Sequence, residues 1–465
     1  MTRLSRIAAA PPVGHVHLGL GNFFRAHQAW YTDHAEDAAE WGIAAFTGRS
    51  PDLATALAAQ DGLYTLVTRA ADGDRFEVVT SVARAHAADD HEAWLGYFAD
   101  PRVRVVSTTV TEAGYVRGAA GGLDAERPEV RRDVDALRGD LTAPVRTAPA
   151  KLVAGLAARR RAGAGALTVV PCDNLPDNGA AVARVLRELA ELVDPGLADW
   201  LHENVSYVTT MVDRITPEPT AEDIATVEAQ TGVRDRAPVV TEPFTEWVLS
   251  GEFAAGRPSW EDVGATFTDD VAPFEQRKLW LLNGAHSMLA YAGSIRGHVT
   301  VADAMRDETC RLWLEEWWDA ASRHLSLPAA DVAAYRAALI KRFANPRMRH
   351  RLDQIAWDGS QKLPIRTLPT LRSEVAAGRI PPGATRPIAA WVLHLRGHGA
   401  KMTDARGAEI LPLVGGPLPE AVRHVLDVLD PELAADDGVV AAVFAQAREL
   451  EASCGTVGSG TGPVR

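Results

Sequence analysis

Residues 278–286, KLWLLNGAH, place Lys278, Asn283 and His286 in a run that is otherwise apolar. At an α-helical advance of about 100° per residue the three fall at about 0°, 140° and 80°, within one arc. Lys278 then lies about 12 Å along the axis from His286, a span that suits a long side chain reaching back along an extended substrate. Leu279, Leu281, Leu282, Ala285, Met288 and Leu289 fill most of the remaining circumference, so the helix reads as buried. An isolated polar group there costs about a few kcal/mol unless it is partnered. A plainer arrangement has Asn283 and His286 bonded inside a core while Lys278 snorkels outward. Three such groups on one face favour a site.

The choice of lysine is itself informative. Lysine occurs only at 151, 278, 341, 362 and 401, and arginine takes the rest of the 48 basic positions. In such a chain a surface cation is normally written as arginine, so a remaining lysine points to a compact, titratable amine.

These side chains need elements to hold them. "VGHVHLG", "WGIAAFTG", "YTLVTR", "FEVVTSVA", "VRVVSTTV", "ALTVVP" and "NVSYVTTMV" read as strands. "FFRAHQAWYTDHAEDAAE", "KLVAGLAARRRAG" and "AAVARVLRELAELV" read as the helices that alternate with them. That alternation predicts a doubly wound, mostly parallel α/β sheet of Rossmann type over residues 1–269. Its last stretch, from "RDRAPVV" to "TFTDD", reads as a turn-rich link. From 270 to 452 the periodicity is helical throughout, which predicts an all-α second domain, and 453–465, Gly/Ser-rich, reads as a disordered tail.

Within the first domain, "HLGLGNFFRAH" follows the first strand and opens the first helix. Gly19 and Gly21 permit a tight turn and close approach of a pyrophosphate, which makes them, with Asn22 and Phe23, the cofactor-binding candidates. Phe24 stands where the third glycine of the dinucleotide fingerprint would be. The second strand ends in "TGRSPD", with no acid for a ribose 2′-hydroxyl before Asp52. Arg49 could meet a 2′-phosphate and favour NADP, stack on adenine, or point into water. "PCDNLPDNG" sets Asp173, Asn174 and Asn178 at a strand's carboxyl end, and "MVDRITP" does the same for Asp213 and Arg214, where open α/β sheets bind ligands. Asp177 and Asn178 also suit simple helix capping.

Taken in order, "GLGNFFRAHQAWYTD", "QDGLYTLVTR", "TVTEAGY", "PCDNLPDNG", "MVDRITP", "FEQRKLWLLNGAHSMLAYAG" and "DGSQKLP" resemble the mannitol dehydrogenase family, long-chain polyol and hexuronate dehydrogenases that work without zinc. The resemblance spans about residues 13–400. It implies that Lys278 is the general base, that Asn174 and Asn283 hydrogen-bond the developing alkoxide, and that His286 orients the reacting hydroxyl. It further implies that Asp213 lies in the substrate pocket and that Glu275 gates a water path to the base. Burial should lower the lysine from about 10.4 toward the roughly 7–8 suited to a base at neutral pH, which arginine could not reach. Lys362 and Arg366, in a loop on this reading, are substrate-binding candidates for hydroxyls, a carboxylate or a phosphate.

The implied activity is NAD-dependent, with NADP admitted through Arg49, on a mannitol/fructose type pair. Fructuronate reduction to mannonate and a mannitol 1-phosphate activity follow as alternatives, and a non-catalytic dinucleotide-binding regulator is the rival from another class. Cys172, Cys310 and Cys454 fit no zinc spacing or disulfide framework, so no metal is expected. A chain of 465 residues with a net charge of −13 argues against nucleic acid and anionic membrane as partners. A cytoplasmic enzyme, monomeric or weakly oligomeric, acting on a small sugar alcohol, ketose or hexuronate is the expectation.

Overall fold

The computed structural model describes residues 2–454. The chain divides into two compact units, Met1–Ala272 and Pro273–Arg465.

The first unit is built on six parallel strands: β1 (Val13–Leu18), β2 (Gly42–Phe46), β3 (Val82–His86), β4 (Val105–Thr108), β5 (Leu167–Pro171) and β6 (Val205–Tyr207). Their spatial order is β3-β2-β1-β4-β5-β6, the doubly wound arrangement whose direction reverses between β1 and β4. The strands are near-continuous apolar runs because both faces are covered. Ala44 and Phe46 of β2 enter one buried cluster, while their neighbours Ile43 and Ala45 enter another. Ligands of such sheets bind beyond the carboxyl ends of the strands at the reversal, which here is where Gly19 and Thr109 follow β1 and β4.

Several elements differ from the reading of the sequence. "FEVVTSVA" divides between the strand Gly73–Val79, which pairs with Tyr64–Ala70, and β3. "NVSYVTTMV" divides at Val208 between β6 and the strand Thr209–Asp213. The stretch read as a link carries Val239–Thr241, paired with Tyr64–Ala70, and Glu246–Ser250, paired with Thr209–Asp213. The first helix is broken into Asn22–Ala26 and Gln28–His34 at His27, whose φ is −123° and ψ −87°. The cause is tertiary. The Tyr64 hydroxyl donates to the Arg25 carbonyl at 2.6 Å, and Arg214 donates to the Ala26 carbonyl. These are the acceptors that a continuous helix would give to residues 29 and 30.

The second unit is helical, with no strand among its described residues beyond the isolated bridge Thr300–Arg351. The helix Pro382–Leu395 is buried from Gly383 to Leu395. The last helix, Asp437–Cys454, runs two residues into the stretch read as a tail, and residues 455–465 lie outside those described. "DGSQKLPIR" is also helical, Gly359–Arg366, with Pro364 inside it. The run that holds Lys278, Asn283 and His286 is π-helical over Lys278–Gly284 and again over Leu289–Gly293, with α-helix at Ala272–Arg277 and Ala285–Met288. Two indoles account for the widened turn. Trp317 donates to the carbonyl of Trp280 at 2.9 Å and Trp318 to that of Leu281 at 2.8 Å. Each enters the middle of the segment, the kind of insertion that disturbs an α-helical ladder.

Candidate active site

The glycine turn is fixed sterically at one position. Gly19 has φ +114°, and a Cβ there would lie 2.2 Å from the Thr109 carbonyl oxygen, so no other residue fits. The amides of Gly19 and Leu20 both donate to the Phe46 carbonyl, at 2.9 and 2.8 Å. Gly21 is different: an added Cβ would meet only the Gly19 carbonyl, at 3.5 Å. Its bare backbone fits the close approach of a diphosphate better than any packing need. Phe24 is buried and stacks on His17 with ring centroids 3.6 Å apart, which gives the aromatic at the third glycine position its partner. Asn22 accepts from Arg25 at 2.5 Å, and Phe23 stacks on His27 at 5.0 Å. Arg49 is exposed just beyond β2.

Past β5, Asp173 is buried and Asn174 exposed. Asn178, expected as a cap, instead ties two ends together. It donates to the Thr210 carbonyl at 2.9 Å and accepts from the Thr210 amide at 2.8 Å. Asp177 sits at the N-cap of Asn178–Val193 but makes no side-chain cap bond. Asp213, buried, ends its strand in register with Glu246. Arg214 is committed to the fold: it lies over the Trp30 ring at 4.8 Å and bonds the Ala26 and Glu242 carbonyls.

A carboxylate clamp that the sequence did not reveal lies beside Asn174. Thr111 adopts φ +69° and ψ 159°, a region open essentially to glycine and costing about 1–3 kcal/mol. Its amide donates to Asp173 at 2.7 Å, and the Tyr115 hydroxyl donates to the other carboxylate oxygen at 2.6 Å. Burial pushes Asp173 up to about 6 against these two bonds.

In the second unit Lys278 and His286 are buried and Asn283 half-buried. The π-helix changes their expected angular relation. Its backbone bonds span five residues, so Lys278 and Asn283, five apart, come close to one line instead of about 140° apart. Glu275 stands one α-helical turn before Lys278. The His286 ring stacks on Phe343 at 4.6 Å and meets His350 edge-on at 4.7 Å. Its Nε2 is buried without a protein hydrogen-bond partner. Burial, followed by the fields of His350, Arg342 and Arg366, holds its pKa well below the ordinary value, so the ring is neutral. Lys362 and Arg366 share one face of their helix. Lys362 donates to the Ile355 carbonyl at 3.3 Å and Arg366 to Ser287 at 3.4 Å. Burial and then Arg366 lower the Lys362 pKa. Arg342 and His350 were not singled out from the sequence, because nothing in their spacing ties them to His286.

Among the described residues His298, Asp307 and Cys310 bring possible ligand atoms within 4.8 Å of one another, a grouping the sequence reading did not find. Asp307 is already bonded by Arg296 at 2.6 Å and His298 at 2.8 Å, and Cys310 is pushed up to about 12, chiefly by burial. A guanidinium in contact and a protonated thiol suit an ion-pair network better than a cation site. No helix among the described residues is long and apolar enough to cross a membrane.

Comparison with known proteins agrees with this architecture. The mannitol dehydrogenase Rossmann domain model matches residues 13–262 and the mannitol dehydrogenase C-terminal domain model residues 270–437. The D-mannonate oxidoreductase of Escherichia coli (strain K12) is 38% identical over 433 residues, 90% of this chain and 83% of the relative. The mannitol 2-dehydrogenase of Cereibacter sphaeroides is 36% identical, covering 84% and 82%. Among solved structures, the Pseudomonas fluorescens mannitol 2-dehydrogenase in ternary complex with NAD and D-mannitol superposes with a TM-score of 0.81. It is 32% identical and covers 97% of this chain and 96% of that one. A substrate-free D-sorbitol dehydrogenase gives 0.86 at 30% identity, with coverage of 97% and 98%. The chain is thus an oxidoreductase of the mannitol dehydrogenase family.

Proposed function

We propose that the protein is an NAD(P)-dependent dehydrogenase that interconverts a secondary alcohol of a linear polyhydroxy compound and its ketone, with Lys278 as general base. The bound dinucleotide supplies the hydride acceptor, as the solved relative with NAD and D-mannitol illustrates. Gly19 and Gly21 form its diphosphate cradle, with Asn22 and Phe23 beside them, and Arg49, exposed just beyond β2, is the candidate for a 2′-phosphate. In the oxidative direction Lys278 Nζ takes the hydroxyl proton. Asn174 and Asn283 donate to the same oxygen as its negative charge grows. Neutral His286 offers Nε2 to the hydroxyl and fixes its direction, while Asp213 holds a neighbouring hydroxyl and Glu275 passes the proton outward. The observation that carries this reading is a buried lysine and an amide at π-helical spacing, followed by an imidazole whose Nε2 has no protein partner.

Within this class we infer an aldonate/keto-uronate pair, mannonate and fructuronate, ahead of a neutral polyol. Two arginines, Arg342 and Arg366, place positive charge within reach of His286. Lys362 adds a further amine beside Arg366. Such a field favours a substrate carrying a carboxylate, and the D-mannonate oxidoreductase relative fits that choice. The net charge of −13 argues against nucleic acid as a partner.

The test is nicotinamide absorbance with purified protein, offering NADH and NADPH separately with fructuronate, fructose and fructose 6-phosphate. Fructuronate is expected to give the highest kcat/KM. Preference for fructose would return the neutral polyol to first place, and no oxidation with any of them would remove the proposal.

A further inference from the structure

We propose that Asp173 is a positioning residue for the dinucleotide and for Asn174, acting by holding the strained backbone of Thr111. The inference rests on the dehydrogenase reading above.

The loop after β4 forms one wall of the crevice at the sheet's reversal. Thr109 touches the glycine turn directly: its hydroxyl donates to the Gly19 carbonyl at 2.9 Å, and its own carbonyl is what excludes a side chain at Gly19. Two residues on, Thr111 holds φ +69° with a β-branched side chain, and Val116 follows in the left-handed region at φ +47°. Two β-branched residues in such conformations within one short loop are sustained only by surroundings that over-determine them, a pattern found at functional sites. The determining group is Asp173. One carboxylate oxygen accepts from the Thr111 amide and the other from Tyr115, whose hydroxyl is also 2.6 Å from Thr108 at the end of β4. Asp173 therefore joins the end of β5, where Asn174 begins, to the wall that packs on the glycine turn. A carboxyl group that served only the core would be replaceable by an apolar one at lower cost of burial. A glycine in place of Thr111 would adopt the same backbone without strain, which makes the role separable from folding.

The test is a double-mutant cycle with Asp173→Ala and Thr111→Gly. It reads the NADH dissociation constant by cofactor fluorescence, and kcat and KM with the best substrate. Asp173→Ala is expected to weaken NADH and lower kcat by about tenfold each, and in the Thr111→Gly background the same change is expected to cost less than about threefold. Equal losses in both backgrounds, or no loss in either, overturn the inference. Should Asp173→Ala fail to fold, Asp173→Asn enters the same cycle. It offers one acceptor oxygen to two donors, so a several-fold loss that Thr111→Gly cancels is expected, and its absence is again fatal. Wild-type protein that binds neither NADH nor NADPH would remove the dehydrogenase reading and this inference together. Wild-type binding with an uncoupled cycle removes the inference alone.

Discussion

Lys278 and Asn283 are five residues apart on a π-helical segment, the interval that a π-helix, unlike an α-helix, brings close to one line. The indole N–H groups of Trp317 and Trp318 enter the same turn through the Trp280 and Leu281 carbonyls. The spacing of Lys278 and Asn283 is therefore a tertiary property of the second unit. Asn283→Ala is expected to lower kcat by about 10²–10³-fold, the usual loss for one oxyanion donor, with a smaller change in KM. Steady-state kinetics decide it. A change confined to KM would make Asn283 a ground-state binder.

The cationic surroundings of His286 predict a selective effect. Arg366→Ala and Lys362→Ala should each reduce kcat/KM for fructuronate at least about tenfold more than for fructose, because a lost charge-assisted bond to a carboxylate outweighs one to a hydroxyl. Parallel losses on both substrates would mean that the pair does not read the carboxylate.

Arg49 is exposed at the end of β2, beyond Gly48, where an added Cβ would meet nothing within 4 Å. If it meets the 2′-phosphate, Arg49→Ala weakens NADPH about tenfold or more and leaves NADH within about twofold. Titration with the two cofactors separates this from an equal effect on both.

Buried histidines make stability depend on pH. Burial lowers His15 to about 3 and, with Arg342, His350 to about 4, while His17 and His286 lie well below the ordinary value. The unfolded chain binds these protons near 6.5 and the folded chain does not, so stability is fully present above that pH and is lost as pH falls below it. Each group contributes up to about 1.4 kcal/mol per pH unit inside its window. Asp173, raised to about 6, works in the opposite sense below that pH but is outnumbered. Urea unfolding at pH 7, 6 and 5 should show a falling free energy, with a shallower slope in His15→Asn. A free energy that rises toward pH 5 would contradict the burial of neutral imidazoles.

The parallel sheet was legible because fully buried strands leave continuous β-branched runs, and the turn at Gly19 because its backbone admits nothing else. The break at His27 was not, since the groups that cause it, Tyr64 and Arg214, are 39 and 188 residues from the carbonyls they take. The helix Gly359–Arg366 looked like a loop because Gly359 and Pro364 are loop residues by composition. Lys278, Asn283 and His286 stood out as polar groups in an apolar run. Their relative angle depends on indoles 37 residues away, and no local pattern encodes that. Thr111 carried no signal either, because its strain exists only against Asp173.

The proposed base is the amine of Lys278. Lys278→Ala should be compared with wild type in a single-turnover measurement of hydride transfer, alongside NADH binding. With Lys278 as the base, the transfer rate is expected to fall by about 10²–10⁴-fold while the NADH dissociation constant stays within about threefold of wild type. A transfer rate close to wild type would contradict that role and take Lys278 out of the chemistry.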